Sequence, residues 1–494
     1  MSGIWYDQDS TNAFYNAPLR QMSTAYFNFV VDSKAHSQVS RYFMCPGSST
    51  AIFNGEFNEV YAKGFDLSKG LEQEAMCGCK SEWLYRFAHN LHTILSHGVD
   101  PVQYILARAK KKGMEAWLSM RMNDAHCGED ESSPIHCSFW KQHPEYRISK
   151  EPYENSLDFT HSIVRELVLN RAFELLGRYH ADGLQLDWTR FPTFLPHGTG
   201  KKSAHLITEM VEKLSREARR TGKGIGVRVP GHIDICLERG LDVIQWATAG
   251  LIDYIVIAPF LMTADFDLPV GQWKEALRNS DLPVIYGIDS TVCAYPGAKR
   301  RMLNPSEIRG LAQIAYSRGA EAVYLFNFFE QICPSYPNIF EEIGAPETLK
   351  GKDHSFRITW HDNFMTIGEQ DKMNRFPGWV EKWRAEKSTA GTYSFVFPKL
   401  LSPGQKHSFR IDLGLRPETP TQYQLLLEWI GPAQGMGLYV NNDENATQLA
   451  GSLEKCRIPA EWIKDGVNSF SIVNQGNENL DIRDLQVEVS ALQA

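Results

Sequence analysis

Eight short runs rich in β-branched and aromatic residues recur along the chain, and each is followed by a longer stretch with helical periodicity. The runs are "GIWYDQD", "SRYFMCP", "MEAWLSMRMND", "DGLQLDW", "GIGVRVPG", "DYIVIAPF", "LPVIYGID" and "AEAVYLFNFFE". Between them lie segments such as "SIVRELVLNRAFELLGRYH" and "SAHLITEMVEKLSREARRTGK", where Leu, Ile and Val return every three or four residues with charges opposite. Eight strand and helix units predict an α/β fold, a (β/α)8 TIM barrel over residues 1–345, at a length ordinary for it.

After "PETLKGKDHS" the helical pattern fades. Runs such as "HSFRIDLGL", "QYQLLLEWIG", "GMGLYVNN" and "VNSFSIVNQG" stand between Gly, Pro and Asn turns, which predicts a C-terminal antiparallel β-sandwich over residues 352–494. Two domains suit a chain of 494 residues, too long for one ordinary core. The sandwich reads as an accessory domain: either it binds carbohydrate, or it packs on the barrel and covers apolar surface.

Charge and cysteine usage remove several functions. A net charge of −8 suits neither nucleic acid nor an anionic membrane, so neither is an expected partner. No apolar run reaches the length of a membrane span, and "MSGIWYDQDSTNAFYN" lacks the basic and apolar regions of a signal peptide. The plain expectation is a cytoplasmic protein; a leader already removed would make it periplasmic or secreted. Nine cysteines, an odd number, fit reduced thiols. Cys77 and Cys79 in "CGC", and the pairs His126–Cys127 and His136–Cys137, lack the wider spacing of zinc ligands, so buried or loop thiols are expected and no metal.

In a barrel of this kind chemistry sits at the C-terminal ends of the strands. The first run brings Asp7 and Asp9 there, and the third Arg121, Asn123, Asp124 and His126. The fourth brings Asp187, Trp188 and Arg190, and the fifth Arg228 and His232. Asp265 and Asp267 follow the sixth run, Asp289 ends the seventh, and Asn327 and Glu330 end the eighth. Trp5, Tyr6, Trp188, Phe191, Phe260 and Phe328 are interleaved with them. Carboxylates, guanidiniums and amides pair with sugar hydroxyls, and aromatic faces stack on pyranose rings, so a carbohydrate substrate is expected.

Glycosidic cleavage needs two carboxyl groups, one to protonate the leaving oxygen and one to attack or to activate water. Asp187 is the first choice, because it ends a well-defined apolar strand. Asp265 is the second, across the mouth from the fourth strand. Either could instead hold a turn. Asp9, Arg121, Asn123, Asp124, His126, Trp188, Arg190, Arg228, Asp289 and Glu330 are assigned to substrate binding. Arg121, Arg190 and Arg228 would suit the carboxylate or sulfate of an anionic glycan as well as they would salt-bridge to rim carboxylates. This chemistry requires no cofactor.

"MRMNDAH", "FWKQHPEYR", "THSIVRELVLNRAFELLGRYHADGLQLDWTRFP" and "GVRVPGHIDICLERGLDVIQWATAGLIDYIVIAPF" together resemble the glycosyl hydrolase-like family 10 proteins, a bacterial group of family 10-like glycosidases with a (β/α)8 barrel. The resemblance covers most of residues 1–345. It implies processing of an oligo- or polysaccharide, as in polysaccharide degradation. Asp182, Gly183 and Asp187 match the group's "DG(I/L)xxD", whose last carboxylate stands at the barrel mouth, and His143, Pro144 and Glu145 match its His-Pro-Glu. The commoner two adjacent acids after strand four are here Asp187–Trp188, so the second acid comes from elsewhere on the rim.

The expected function is therefore a glycoside hydrolase, with Asp187 as nucleophile or base and Asp265 as acid. Two alternatives stand beside it: a carbohydrate-binding barrel without chemistry, and a lyase acting on uronic acid-containing glycans through a Tyr or His base. Carboxyl groups roughly 5 Å apart would mean retention and roughly 6.5 to 9.5 Å inversion. Oligomeric state is not legible.

Overall fold

In the computed structural model the described residues are 3–128, 130–148, 155–196, 198–259, 263–295, 298–329, 336, 338–359, 361–362, 393–394, 396–432, 435–448 and 455–491. All eight predicted runs are strands of one closed barrel: Ile4–Gln8 (β1), Val39–Met44 (β2), Glu115–Arg121 (β3), Gly183–Asp187 (β4), Gly224–Pro230 (β5), Tyr254–Ala258 (β6), Val284–Asp289 (β7) and Val323–Phe326 (β8). Each pairs in parallel with the next, and β8 closes on β1.

Side chains alternate between two compartments because the strand period is two. One set fills the lumen as a buried cluster of Trp5, Phe43, Trp117, Tyr254, Val256, Ile285, Ala322, Tyr324 and Phe326. The other set, including Tyr6, Leu186, Ile257, Tyr286 and Leu325, joins the larger core between barrel and helices. Two glycines make the lumen floor fit. A Cβ on Gly183 would lie 2.2 Å from the Trp117 ring, and one on Gly226 would lie 1.9 Å from the Tyr254 ring. The Arg41 guanidinium lies over Trp5 at 3.9 Å and over Trp117 at 4.5 Å, and it pairs with Glu115 at 2.7 Å. Cation–π contact and the ion pair together offset its burial.

The C-terminal region is a β-sandwich. His354–Arg357, Lys399–Leu401, Thr421–Ile430, Lys455–Ile458 and Leu480–Ala491 form one antiparallel sheet; Lys406–Asp412, Met436–Val440, Ala446–Gln448 and Val467–Asn474 form the other. It rests on the barrel helix Pro305–Ser317, where a Cβ on Gly310 would lie 2.1 Å from the Ser355 carbonyl oxygen. Ion pairs flank that contact: Arg357 with the fully buried Glu307 at 3.1 Å, and Arg318 with Asp412 at 2.8 Å.

No described helix is long and apolar enough to cross a membrane. No disulfide joins two described cysteines, and no described group of three His, Cys, Asp or Glu is placed to hold a metal.

Candidate active site

The same alternation that sends Trp5, Trp117 and Ile285 into the lumen sends Asp7, Arg121, Asp187, Arg228 and Asp289 to its upper end. Register then sets charges side by side. Arg121 on β3 pairs with Asp187 on β4, which pairs with Arg228 on β5, giving a row of alternating sign. Arg228 Nη1 donates to Asp187 Oδ2 at 3.1 Å, and both side chains are buried.

Three rim aspartates share one local device. Asp9, Asp187 and Asp289 are each followed two residues later by threonine, whose backbone N–H and hydroxyl both donate to Oδ1: at 3.1 and 3.2 Å from Thr11, 2.9 and 2.7 Å from Thr189, and 3.1 Å twice from Thr291. One oxygen anchors the strand end, which leaves Oδ2 for the mouth. At Asp9 that oxygen takes Arg121 Nη2 at 2.7 Å; at Asp187 it takes Arg228.

Asp7 lies one inward position below Asp9's turn and is buried. Tyr324 donates its hydroxyl hydrogen to Asp7 Oδ2, and Gln185 Nε2 donates to the Tyr324 oxygen at 2.8 Å and to Ser119 Oγ at 3.0 Å. Burial lifts the Asp7 carboxyl to about 6; Tyr324 and Arg228 oppose the rise, and the nearby Asp187 charge adds to it. Burial also raises Asp289, against its Thr291 hydrogen bonds and the fields of Arg228 and Arg190. Asp9 and Asp124 go the other way. Burial would raise both, but Arg121 and Arg190 outweigh it at Asp9, and His126 and Arg121 outweigh it at Asp124.

Arg190 is the least compensated group on the rim. Its Nη2 donates to His126 Nε2 at 3.1 Å, while its buried Nε and Nη1 have no hydrogen-bond partner among the described residues. Burial and the neighbouring Arg121 charge pull its pKa down to about 10. Guanidinium can only donate, so His126 Nε2 accepts and its Nδ1–H faces Asp124 Oδ1 at 2.7 Å. Arg190 and Arg228 both lie over the Phe326 ring, at 5.3 and 4.0 Å. The following residue, Phe191, has φ of +50° immediately before Pro192, a costly conformation for a bulky side chain. Asn123 Nδ2 holds that loop by donating to Thr193 O at 2.7 Å and Leu157 O at 3.0 Å.

Thus Asp9, Arg121, Asp124, His126, Asp187, Arg190, Arg228 and Asp289 gather at the mouth, whereas Asn123 spends its amide on backbone carbonyls. Trp188 does not meet the expectation of a sugar contact. Next to inward Asp187 it points outward, fully buried against Phe194 at 4.9 Å and Trp246 at 5.9 Å. Trp5 packs in the lumen floor, and Tyr6 and Phe328 in the outer core. The Asp265 carbonyl accepts from Tyr286, an outward residue of β7, and its carboxylate accepts from the Asp267 N–H at 2.7 Å among its contacts. Phe266 N–H donates to Thr359 Oγ1 at 3.2 Å, which ties this loop to the segment that enters the sandwich. Phe260 and Glu330 lie outside the described residues.

Sequence reasoning placed Asp7 at the rim without choosing it, and missed Tyr324 and Gln185. Counting by twos from Trp5 and from Asp187 would have found Asp7 and Gln185, and the repeated Asp-x-Thr would have marked the three anchored strand ends.

No family model matches the chain, and no curated protein does. Solved structures similar to it include the following three. The PgaB (BpsB) glycoside hydrolase domain from Bordetella bronchiseptica has TM-score 0.45 and 9% identity, over 70% of this chain and 99% of that one. Alpha-L-fucosidase isoenzyme 2 from Paenibacillus thiaminolyticus has 0.41 and 12%, over 86% and 69%. A class V chitinase from Pseudomonas fluorescens Pf-5 has 0.40 and 9%, over 69% and 99%.

Proposed function

We propose that the protein is a glycoside hydrolase whose two working carboxyl groups are Asp187 and Asp7. The observation that supports this most directly is the contrast between them across one arginine. Asp187 is ion-paired to Arg228, while burial lifts the Asp7 carboxyl to about 6, so that it carries a proton to give below that pH. In the reaction Asp7 protonates the glycosidic oxygen, and Asp187 attacks the anomeric carbon or takes the proton of a water. Asp7 takes the role expected of Asp265 because it shares the Arg228 guanidinium with Asp187. The likeness to glycosyl hydrolase-like family 10 supports the same class of substrate, an oligo- or polysaccharide.

An anionic glycan is favoured by Arg190, a cationic rim group with two donors that have no partner among the described residues. The second reading, a carbohydrate-binding barrel without chemistry, draws on Asp187 itself: both its oxygens already carry hydrogen bonds.

A panel of neutral and acidic glycans, with products resolved by chromatography and mass, tests the proposal. A hydrolytic product that disappears in Asp187→Asn and Asp7→Asn supports it. Full activity in both variants, or glycan binding with no product, sinks it, and a product absorbing through a new double bond would make the protein a lyase.

A further inference from the structure

Helices that follow barrel strands begin on the mouth side, and the first two such segments bring two aromatic side chains together there. Tyr15 belongs to the helix Asn12–Asn16, after β1; Trp83 is in the first turn of Glu82–Ser96, the helix that leads from β2 toward β3. Their rings are stacked, with centroids 3.6 Å apart and planes 12° from parallel. Trp83 is 52% exposed, so one face of the indole is backed by Tyr15 while the side chain remains open to solvent. The platform is fixed from behind: Phe87 packs on Tyr15 at 5.6 Å and on Tyr61 at 4.6 Å, and Ser81 caps the helix through the Leu84 N–H at 3.3 Å.

The stack is also wired to the rim. Tyr15 N–H donates to Thr11 O at 3.1 Å, and Thr11 in turn holds Asp9, the partner of Arg121. A rigid, half-exposed aromatic face, tied through one helical turn to the candidate rim, matches a pyranose ring, whose C–H groups lie on such a face.

We infer that Trp83, backed by Tyr15, is an outer subsite for a sugar ring of the same glycan, removed from the bond being cleaved. The inference rests on the glycosidase reading and narrows it to a chain-like substrate of several sugar units. A short glycoside does not reach this platform and a long one does.

Calorimetric titration on the Asp187→Asn background, which removes turnover, tests it with three probes: hexamers of β-1,4-linked glucose, β-1,4-linked N-acetylglucosamine and α-1,4-linked galacturonate, each against its dimer. At least one hexamer binds roughly tenfold more tightly than its dimer, a gap of about 1.4 kcal/mol. Adding Trp83→Ala abolishes that gap without changing dimer binding, and Trp83→Phe, which keeps an aromatic face, restores most of it. Equal hexamer affinity with and without Trp83→Ala, or no binding of any hexamer, overturns the inference. Trp83-dependent binding with no cleavage by wild-type protein keeps the subsite and removes the hydrolase; cleavage of long chains unaffected by Trp83→Ala does the reverse.

Discussion

Arg228 Nη1 lies 3.1 Å from Asp187 Oδ2, and the two residues are register partners on adjacent parallel strands. Their contact is therefore set by backbone pairing rather than by a mobile loop. Such a buried pair is costly to break from one side, because the charge left behind has no water to turn to. Arg228 also faces Asp7, so one guanidinium links both proposed catalytic carboxyl groups.

Replacing the two carboxyl groups separates the proposed pair from the one expected by sequence. Asp187→Asn and Asp7→Asn each lower kcat by about 10²- to 10⁴-fold, the usual range for loss of an acid–base group. Because the proposed reaction runs through Asp7 and Asp187, Asp265→Asn stays within about threefold. Product release from the glycan identified in the panel reads all three.

Under the proposed mechanism Asp7 gives the activity a pH signature. As the proton donor it must be protonated, so kcat/KM falls as pH rises through about 6. Stability runs in the same direction. The folded state holds this proton more tightly than the unfolded chain, so the contribution is full below the ordinary 3.8 and is lost as pH rises through about 6. That loss is about 3 kcal/mol at most, from about 1.36 kcal/mol per pKa unit. Asp7→Asn, with nothing to ionise, gains in Tm relative to wild type at pH 8 and not at pH 4.

Arg190 decides between anionic and neutral substrates. Arg190→Met lowers kcat/KM on a carboxylated or sulfated glycan about 100-fold while sparing its neutral counterpart. Lysine does not rescue the loss, because an ammonium does not reproduce the planar, fixed set of guanidinium donors. Equal loss on both glycans would mean that Arg190 only supports the loop.

The lumen floor tolerates no added methyl group at β5. Gly226→Ala places a carbon 1.9 Å from the Tyr254 ring, and overpacking of this kind costs about 1–3 kcal/mol. A lowered Tm without change in KM is the expected result.

Gly310→Ala acts at the other interface, where the new carbon meets the Ser355 carbonyl. The sandwich loosens on the barrel, and limited proteolysis becomes faster near residues 346–353. Fragments breaking there would fix the domain boundary expected between residues 345 and 352.

The barrel was legible because its signal is local and repeated. Eight apolar runs with helical spacers admit few packings, and the period of two assigns each strand residue to lumen or outer core. The same rule was available for Trp188: once Asp187 points inward its neighbour must point outward, and the expectation of a sugar contact overlooked this. Asp187, Arg121 and Arg228 were found as strand ends. The loops after strands carry no such period, which is why the sequence could not say which partners Asp265 meets there.

By itself, then, the sequence determined which side chains enter the lumen and at what height, because chain geometry within a strand is short-range and periodic. Only the tertiary structure decided which of them meet. Asp7 and Tyr324 are separated by 317 residues, and it is barrel closure, joining β8 to β1, that brings the tyrosine hydroxyl onto the carboxyl. Desolvation by every other strand then lifts that carboxyl toward neutrality, a property no local stretch of chain contains.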